Sequence, residues 1–160
     1  MGVMYFRISV SRMRSNCLLK GLWTSRLDAA KSQPATGAEE LKEFGWWFGS
    51  GKLEDQWSIK QLLEALRIAK RVDPDFMVIE RLAQVSTAFP LESTDALRMM
   101  VEADIRGWSI LGWRDKAKEI IRAARKSGNA DARRKAEDLV NLVGSRGHFD
   151  FGDLLKEPID

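Results

Sequence analysis

Nine basic residues between positions 114 and 135 pose the first chemical question. Arg114, Lys116, Lys118, Arg122, Arg125, Lys126, Arg133, Arg134 and Lys135 stand against only Asp115, Glu119 and Asp131. Arg114, Lys118, Arg122 and Arg125 recur at helical spacing and so share one face, and four cations on one face suit the phosphates of a nucleic-acid backbone. The competing reading is a solvated helix flank, neutralised by local pairs such as Asp115 with Lys118 or Glu119 with Arg122. No base-reading motif accompanies the charges, so nucleic-acid binding stands as the alternative function and not the leading one.

The aromatic run Phe44-Gly-Trp46-Trp47-Phe48, with Trp57 beyond it, is the second candidate. Stacked aromatics can hold a base or a cationic ligand, but on a short amphipathic helix they more often anchor it to its neighbour. Adjacent residues on a helix point in different directions, so Trp46 and Trp47 do not face the same core. Trp46, Trp47 and Trp57 are therefore the expected partner-facing residues. Trp108 and Trp113 flank a turn expected between Gly107 and Gly112, where they read as an inter-helix plug more readily than as a pocket lining.

Catalytic chemistry lacks its minimum residues. No phosphate-binding loop, dinucleotide fingerprint, zincin helix or nucleophile elbow occurs in the sequence. One histidine, His148, and one cysteine, Cys17, are too few for the usual structural zinc sets or a disulfide. We therefore expect no enzyme, no catalytic residue, no metal and no cofactor. The cysteine usage fits a reducing, cytoplasmic setting.

The elements that must position these residues are helical throughout. Ile59, Leu62, Leu63 and Leu66 form a stripe in a helix expected to start after Asp55 as its cap and to run to about Arg71. Asp73-Pro74 reads as a helix start, with Val78, Ile79, Leu82 and Val85 as its buried stripe, and Pro90 opens a helix bearing Leu97, Met100 and Val101. Trp113, Ala117, Ile120, Ile121 and Ala124 follow the same offsets as Ala132, Ala136, Leu139, Val140 and Val143. Gly128 and Asn129 separate these two stripes, which makes an αα-hairpin. Helix starts recur at intervals of about 40 residues, the period of HEAT-type repeats, although the residues themselves do not repeat. The expected fold is all-α: antiparallel helical hairpins in a HEAT-like or irregular α-solenoid.

Residues 1–37 differ from the rest. Arg7, Arg12, Arg14, Lys20, Arg26 and Lys31 face Asp28 alone, whereas the remaining residues carry a slight acidic excess within a chain of net charge +3. This stretch reads as a basic, poorly ordered arm, a transit-like peptide or a misplaced start of translation. Lys31 to Gly37 reads as a linker because of Pro34 and Gly37. The expected division is an arm and linker over 1–37 and a helical-repeat domain over 38–160. No apolar run reaches the roughly 18 residues of a membrane-spanning helix.

Three strings, Glu43-Phe-Gly-Trp-Trp-Phe-Gly-Ser-Gly-Lys52, Gly107-Trp…Gly112-Trp-Arg-Asp115 and Arg146-Gly-His-Phe-Asp-Phe-Gly-Asp-Leu-Leu155, carry a resemblance. Over about residues 22–155 the chain resembles the HEAT-like C-terminal helical segment of large uncharacterised bacterial proteins with NTPase-like multidomain architecture and a defence role. The resemblance carries over no catalytic residue. Residues 1–21 depart from it, which implies a truncated reading frame and an orphan aromatic surface at Trp23, Trp46 and Trp47. The expected function is a non-catalytic helical-repeat interaction module, or a fragment of a larger protein, that binds a protein partner or absent N-terminal domains.

Overall fold

Amphipathic stripes, two prolines at helix starts and one asparagine cap divide the chain into short helices. The computed structural model describes residues 3–159, with side chains described from Asn16 onward. Among these residues the order is α1 (Val3–Ser32), α2 (Pro34–Lys42), α3 (Phe44–Gly49), α4 (Asp55–Ala69), α5 (Asp75–Val85), α6 (Pro90–Ala103), α7 (Ser109–Lys126), α8 (Ala130–Ser145) and a closing 3₁₀ segment (Phe149–Lys156).

From α2 to α6, each helix packs on the one two places further along the chain. Helix α2 meets α4, α4 meets α6 and α6 meets α8, while α3 meets α5 and α5 meets α7. The result is a two-layered stack, with α2, α4, α6 and α8 in one layer and α3, α5 and α7 in the other, consistent with a helical-repeat arrangement. The facing stripes close on a continuous apolar core running from Trp23 to Leu154, through Leu62, Leu66, Leu82, Leu97, Ile120 and Leu139. The hairpin of α7 and α8 forms as its repeated stripe predicts, and the Asn129 side chain accepts a hydrogen bond from the Ala132 amide at 3.0 Å.

Several local expectations need correction. Pro34 does separate two helices, α1 ending at Ser32 and α2 starting at Pro34 itself, where the missing N–H costs nothing, but Gly37 lies within α2 and interrupts nothing. The division expected between residues 37 and 38 therefore falls inside a helix. Trp23, Leu27 and Ala30, at offsets of 0, 4 and 7, bury one face of α1 in the core. Gly37 allows this closeness, since a Cβ there would sit 2.5 Å from the Cα of Ala30. Residues 16–37 are thus part of the stack and not a poorly ordered arm and linker; the side chains of residues 1–15 lie outside those described. Trp23 is fully buried, with its ring 4.9 Å edge-on from Phe44, so it forms no orphan surface.

Two further starts differ from expectation. Asp55 is the first residue of α4 and not its cap, and its carboxylate pairs with Arg81 across the two layers. Pro74 precedes α5 in extended conformation after a cis peptide bond, and Asp73 makes no cap. The Asp73 amide instead donates to the Lys42 carbonyl at 2.8 Å, joining the α4–α5 connection to the end of α2. Gly45 is required at this junction, because a Cβ there would overlap the Asp73 carbonyl. Gly112 bounds no turn: α7 begins at Ser109 and continues through it.

Candidate interaction surface

The basic face of α7 is occupied from within the molecule. Lys118 Nζ lies 2.7 Å from the Asp150 carboxylate, and Arg114 Nε lies 3.6 Å from it. Arg122 forms a two-pronged contact with Glu157 at 2.9 Å to each oxygen. Arg125 is buried, and its guanidinium donates to the carbonyl oxygens of Leu154, Leu155 and Glu157. Phe151 and Leu154 pack into the core beneath these contacts. The local pairs expected for this helix, Asp115 with Lys118 and Glu119 with Arg122, give way to long-range ones, because Asp150 of the closing 3₁₀ segment and Glu157 just after it reach the same face.

The ionisation of these carboxylates follows from the geometry. The Lys118 hydrogen bond holds the Asp150 carboxyl below its ordinary range against the opposing effect of partial desolvation. The Arg122 hydrogen bond lowers Glu157 in the same way, and reciprocally raises Arg122. The face that reads as phosphate-contacting in the sequence therefore serves as an internal clamp: Arg114, Lys118, Arg122 and Arg125 hold down the end of the described chain.

The aromatic candidates separate. Trp46 is 58% exposed. Trp47 packs on the core, with its ring 6.5 Å from that of Trp23, and Trp57 sits edge-on to Phe44 at 6.5 Å, with Lys20 Nζ 5.4 Å from its centroid. Trp47 and Trp57 are thus anchors of α3 and α4 first and surface second. The two tryptophans expected to plug one turn also part company, with Trp113 buried and Trp108 73% exposed.

A surface that charge and aromatic patterns did not single out lies across the ends of α2, α4 and α6. Helix α4 stops at Lys70, whose φ of 66° is left-handed, and the turn that follows buries Val72. Helix α6 stops at Asp104, whose carboxylate accepts from the amides of Ser109 at 2.8 Å and Ile110 at 3.2 Å and so satisfies the start of α7. Just after α8, Arg146 donates to the carbonyls of Val101 and Asp104 and fixes this corner. With both ends of the turn held, Ile105 projects outward, 92% exposed, beside Arg106 and Trp108.

Between the two helix ends is a groove of about 610 Å³, whose floor and walls include Leu66, Ala69, Met99, Ala103 and Ile105. Lys42, Arg67, Lys70 and Arg71 stand around it, with Glu102 as the one carboxylate of the lining. A smaller cavity of about 280 Å³ adjoins it through Lys70, Arg71 and Ala103 and reaches Met100, Ser109 and Trp113. The sequence carried one sign of this surface: Ile105 is a lone apolar residue in an otherwise polar turn, Asp104-Ile105-Arg106-Gly107.

Among the described residues no three His, Cys, Asp or Glu side chains are grouped to hold a metal, and no helix is long and apolar enough to cross a membrane. His148 lies against Gly107, where a Cβ would meet its Nε2 at 3.4 Å. Comparison with protein-family models, with curated proteins and with solved structures finds no match to this chain.

Proposed function

We propose that the chain is a non-catalytic, HEAT-like helical-repeat module that binds a protein partner in the groove across the ends of α2, α4 and α6. The observation that carries this reading is the pairing of an apolar groove with a projecting, fixed apolar turn on one edge of the stack. A lone exposed leucine or isoleucine is ordinary, but one that is 92% exposed on the rim of an apolar groove is an arrangement that a partner would bury. Covering a side chain the size of Ile105 or Trp108 is worth about 1.5–3 kcal/mol before the cost of association.

The alternative of a nucleic-acid module rests on Arg114, Lys118, Arg122 and Arg125. All four are engaged by the closing segment, so the reading has little left to act through. The partner reading is tested by placing a photo-crosslinking amino acid at Ile105, and separately at the exposed Arg134 of α8, in cells making the full chain. A discrete adduct from position 105 and none from position 134 is the expected result. Equal labelling from both, or none from either, would count against a partner in this groove.

A further inference from the structure

We infer that the occupant of the groove is a second copy of this chain, paired about a two-fold axis so that the Ile105 turn of each copy enters the groove of the other and Arg106 of each faces Asp75 of the other; this rests on the groove being the partner surface. Shape leads to it first. A two-fold interface is self-complementary: each feature of the patch must match another feature of the same patch. Here a groove lined by Leu66, Ala69, Met99 and Ala103 adjoins the Ile105 turn on one edge of the stack. Ile105 is 92% exposed, so it does not fill the groove of its own chain. Its turn is pinned through Asp104 and Arg146 and can enter a neighbour without first being ordered. Any other partner would have to carry both a projection and a hollow; this chain already has the two side by side.

Charge points the same way. Together the two adjoining cavities are lined by four cations, Lys42, Arg67, Lys70 and Arg71, and four carboxylates, Asp73, Asp75, Glu102 and Asp104. A surface balanced in this way does not repel its own copy and selects neither a strongly acidic nor a strongly basic partner. The smaller cavity holds the carboxylate excess, with Asp73, Asp75 and Asp104 against Lys70 and Arg71. Asp73 is paired with Arg71 at 3.0 Å, and Asp104 accepts from the amides of Ser109 and Ile110. Asp75 has neither an ion pair nor a side-chain hydrogen bond among the described residues, and the same holds for Arg106. Arg106 directly follows Ile105, and the two cavities share Lys70, Arg71 and Ala103 in their linings. Seating Ile105 in the groove of the other copy therefore sets Arg106 at the mouth of that copy's smaller cavity, where it offsets the excess carboxylate. The two-fold axis forms this contact twice.

The test is sedimentation velocity of the full chain from about 1 to 500 μM; two grooves and two turns make a small interface, for which we expect a dissociation constant of about 1–100 μM. Ile105→Ser should weaken pairing at least about tenfold. Arg106→Asp and Asp75→Arg, each alone, should do the same, because each sets like charges opposite one another twice in the dimer. Mixing these two variants, or combining them in one chain, restores both contacts and should bring the constant back to within about threefold of the parent. Asp75→Arg also puts a cation at the start of α5, a local cost that the combined variant shares, so restoration there belongs to the interface alone. Circular dichroism melts of dilute samples confirm that the variants stay folded. Pairing that ignores Ile105→Ser, or charge variants that leave pairing unchanged or fail to restore each other, would overturn the inference. A chain monomeric throughout, with an adduct from position 105 of a mass other than twice the chain, would overturn it and leave the groove reading standing. A monomer with no adduct would overturn both.

Discussion

Two cationic regions of this molecule have opposite fates. Arg114, Lys118, Arg122 and Arg125 form the denser cluster in sequence, yet Asp150 of the closing 3₁₀ segment, Glu157 just after it and three backbone carbonyls satisfy them. Lys42, Arg67, Lys70 and Arg71 are scattered over 30 positions of the chain, yet they gather around one apolar groove, and Lys70 among them is left without a partner. The difference teaches that local charge density in the sequence does not tell which cations the fold ties down. The α7 cations are held by contacts with residues about 30 positions away, whereas Lys42, Arg67 and Arg71 pair only with surface carboxylates two or three positions from them.

The sharpest way to break the comparison is at the buried end of the clamp. Arg125→Ala empties a buried guanidinium site and removes the donor for three carbonyls, that of Leu154 buried with it. We expect a loss of about 3–5 kcal/mol in denaturant unfolding. A loss below about 1 kcal/mol would mean that the closing segment is not held as described. Phe151→Ala empties a fully buried ring site beneath the same clamp and should cost a comparable amount, about 3–5 kcal/mol. With either change, limited proteolysis should cut first near residues 149–157.

Acid provides a milder test. The folded-state pKa values of Asp150 and Glu157 lie below their ordinary, unfolded ones, so the unfolded chain binds protons first as pH falls. Their contribution to stability is complete above the usual carboxylate range, declines as pH drops below about 4, and is gone once the folded groups are protonated. The double variant Asp150→Asn, Glu157→Gln should therefore be less stable than the parent at pH 7 and should approach it at pH 3. Parallel stability curves over that interval would refute the clamp electrostatics. The smallest effect on stability belongs to the groove: Ile105→Ser should shift unfolding of the dilute chain by no more than about 0.5 kcal/mol while reducing crosslinking or pairing there. A substantial loss of stability at Ile105 would mean that the turn supports the fold, and the contrast between the two regions would blur.

Much of the architecture was legible before any coordinates. The matched stripes of α7 and α8, the Asn129 cap and the proline opening α6 are local signals, because periodicity, capping and a fixed φ act within a few residues of chain. Other signals were present but outweighed by composition. Trp23, Leu27 and Ala30 already trace one face of a helix, but the surrounding arginines and Pro34 draw attention to an arm. The stack overrules that reading because α2 and α4 bury the stripe, with Phe44 of α3 against Trp23, and because Pro34 happens to fall at a first turn, where proline is welcome. At Asp73-Pro74 the start signal is displaced by one residue: α5 begins at Asp75, while the Asp73 carboxylate pairs with Arg71 and its amide donates to the end of α2.

The sequence by itself determined that this is an all-α chain of amphipathic hairpins and where most of its buried stripes lie, because those depend on spacings of three and four residues. It also established that the residue sets of the common catalytic motifs are missing. Only the tertiary structure decided which charges and aromatics remain free. Lys118 meets Asp150 and Arg122 meets Glu157 across more than 30 positions, and the groove exists only where the ends of three helices come together. Such partnerships are set by the packing of whole helices, and no local pattern encodes them.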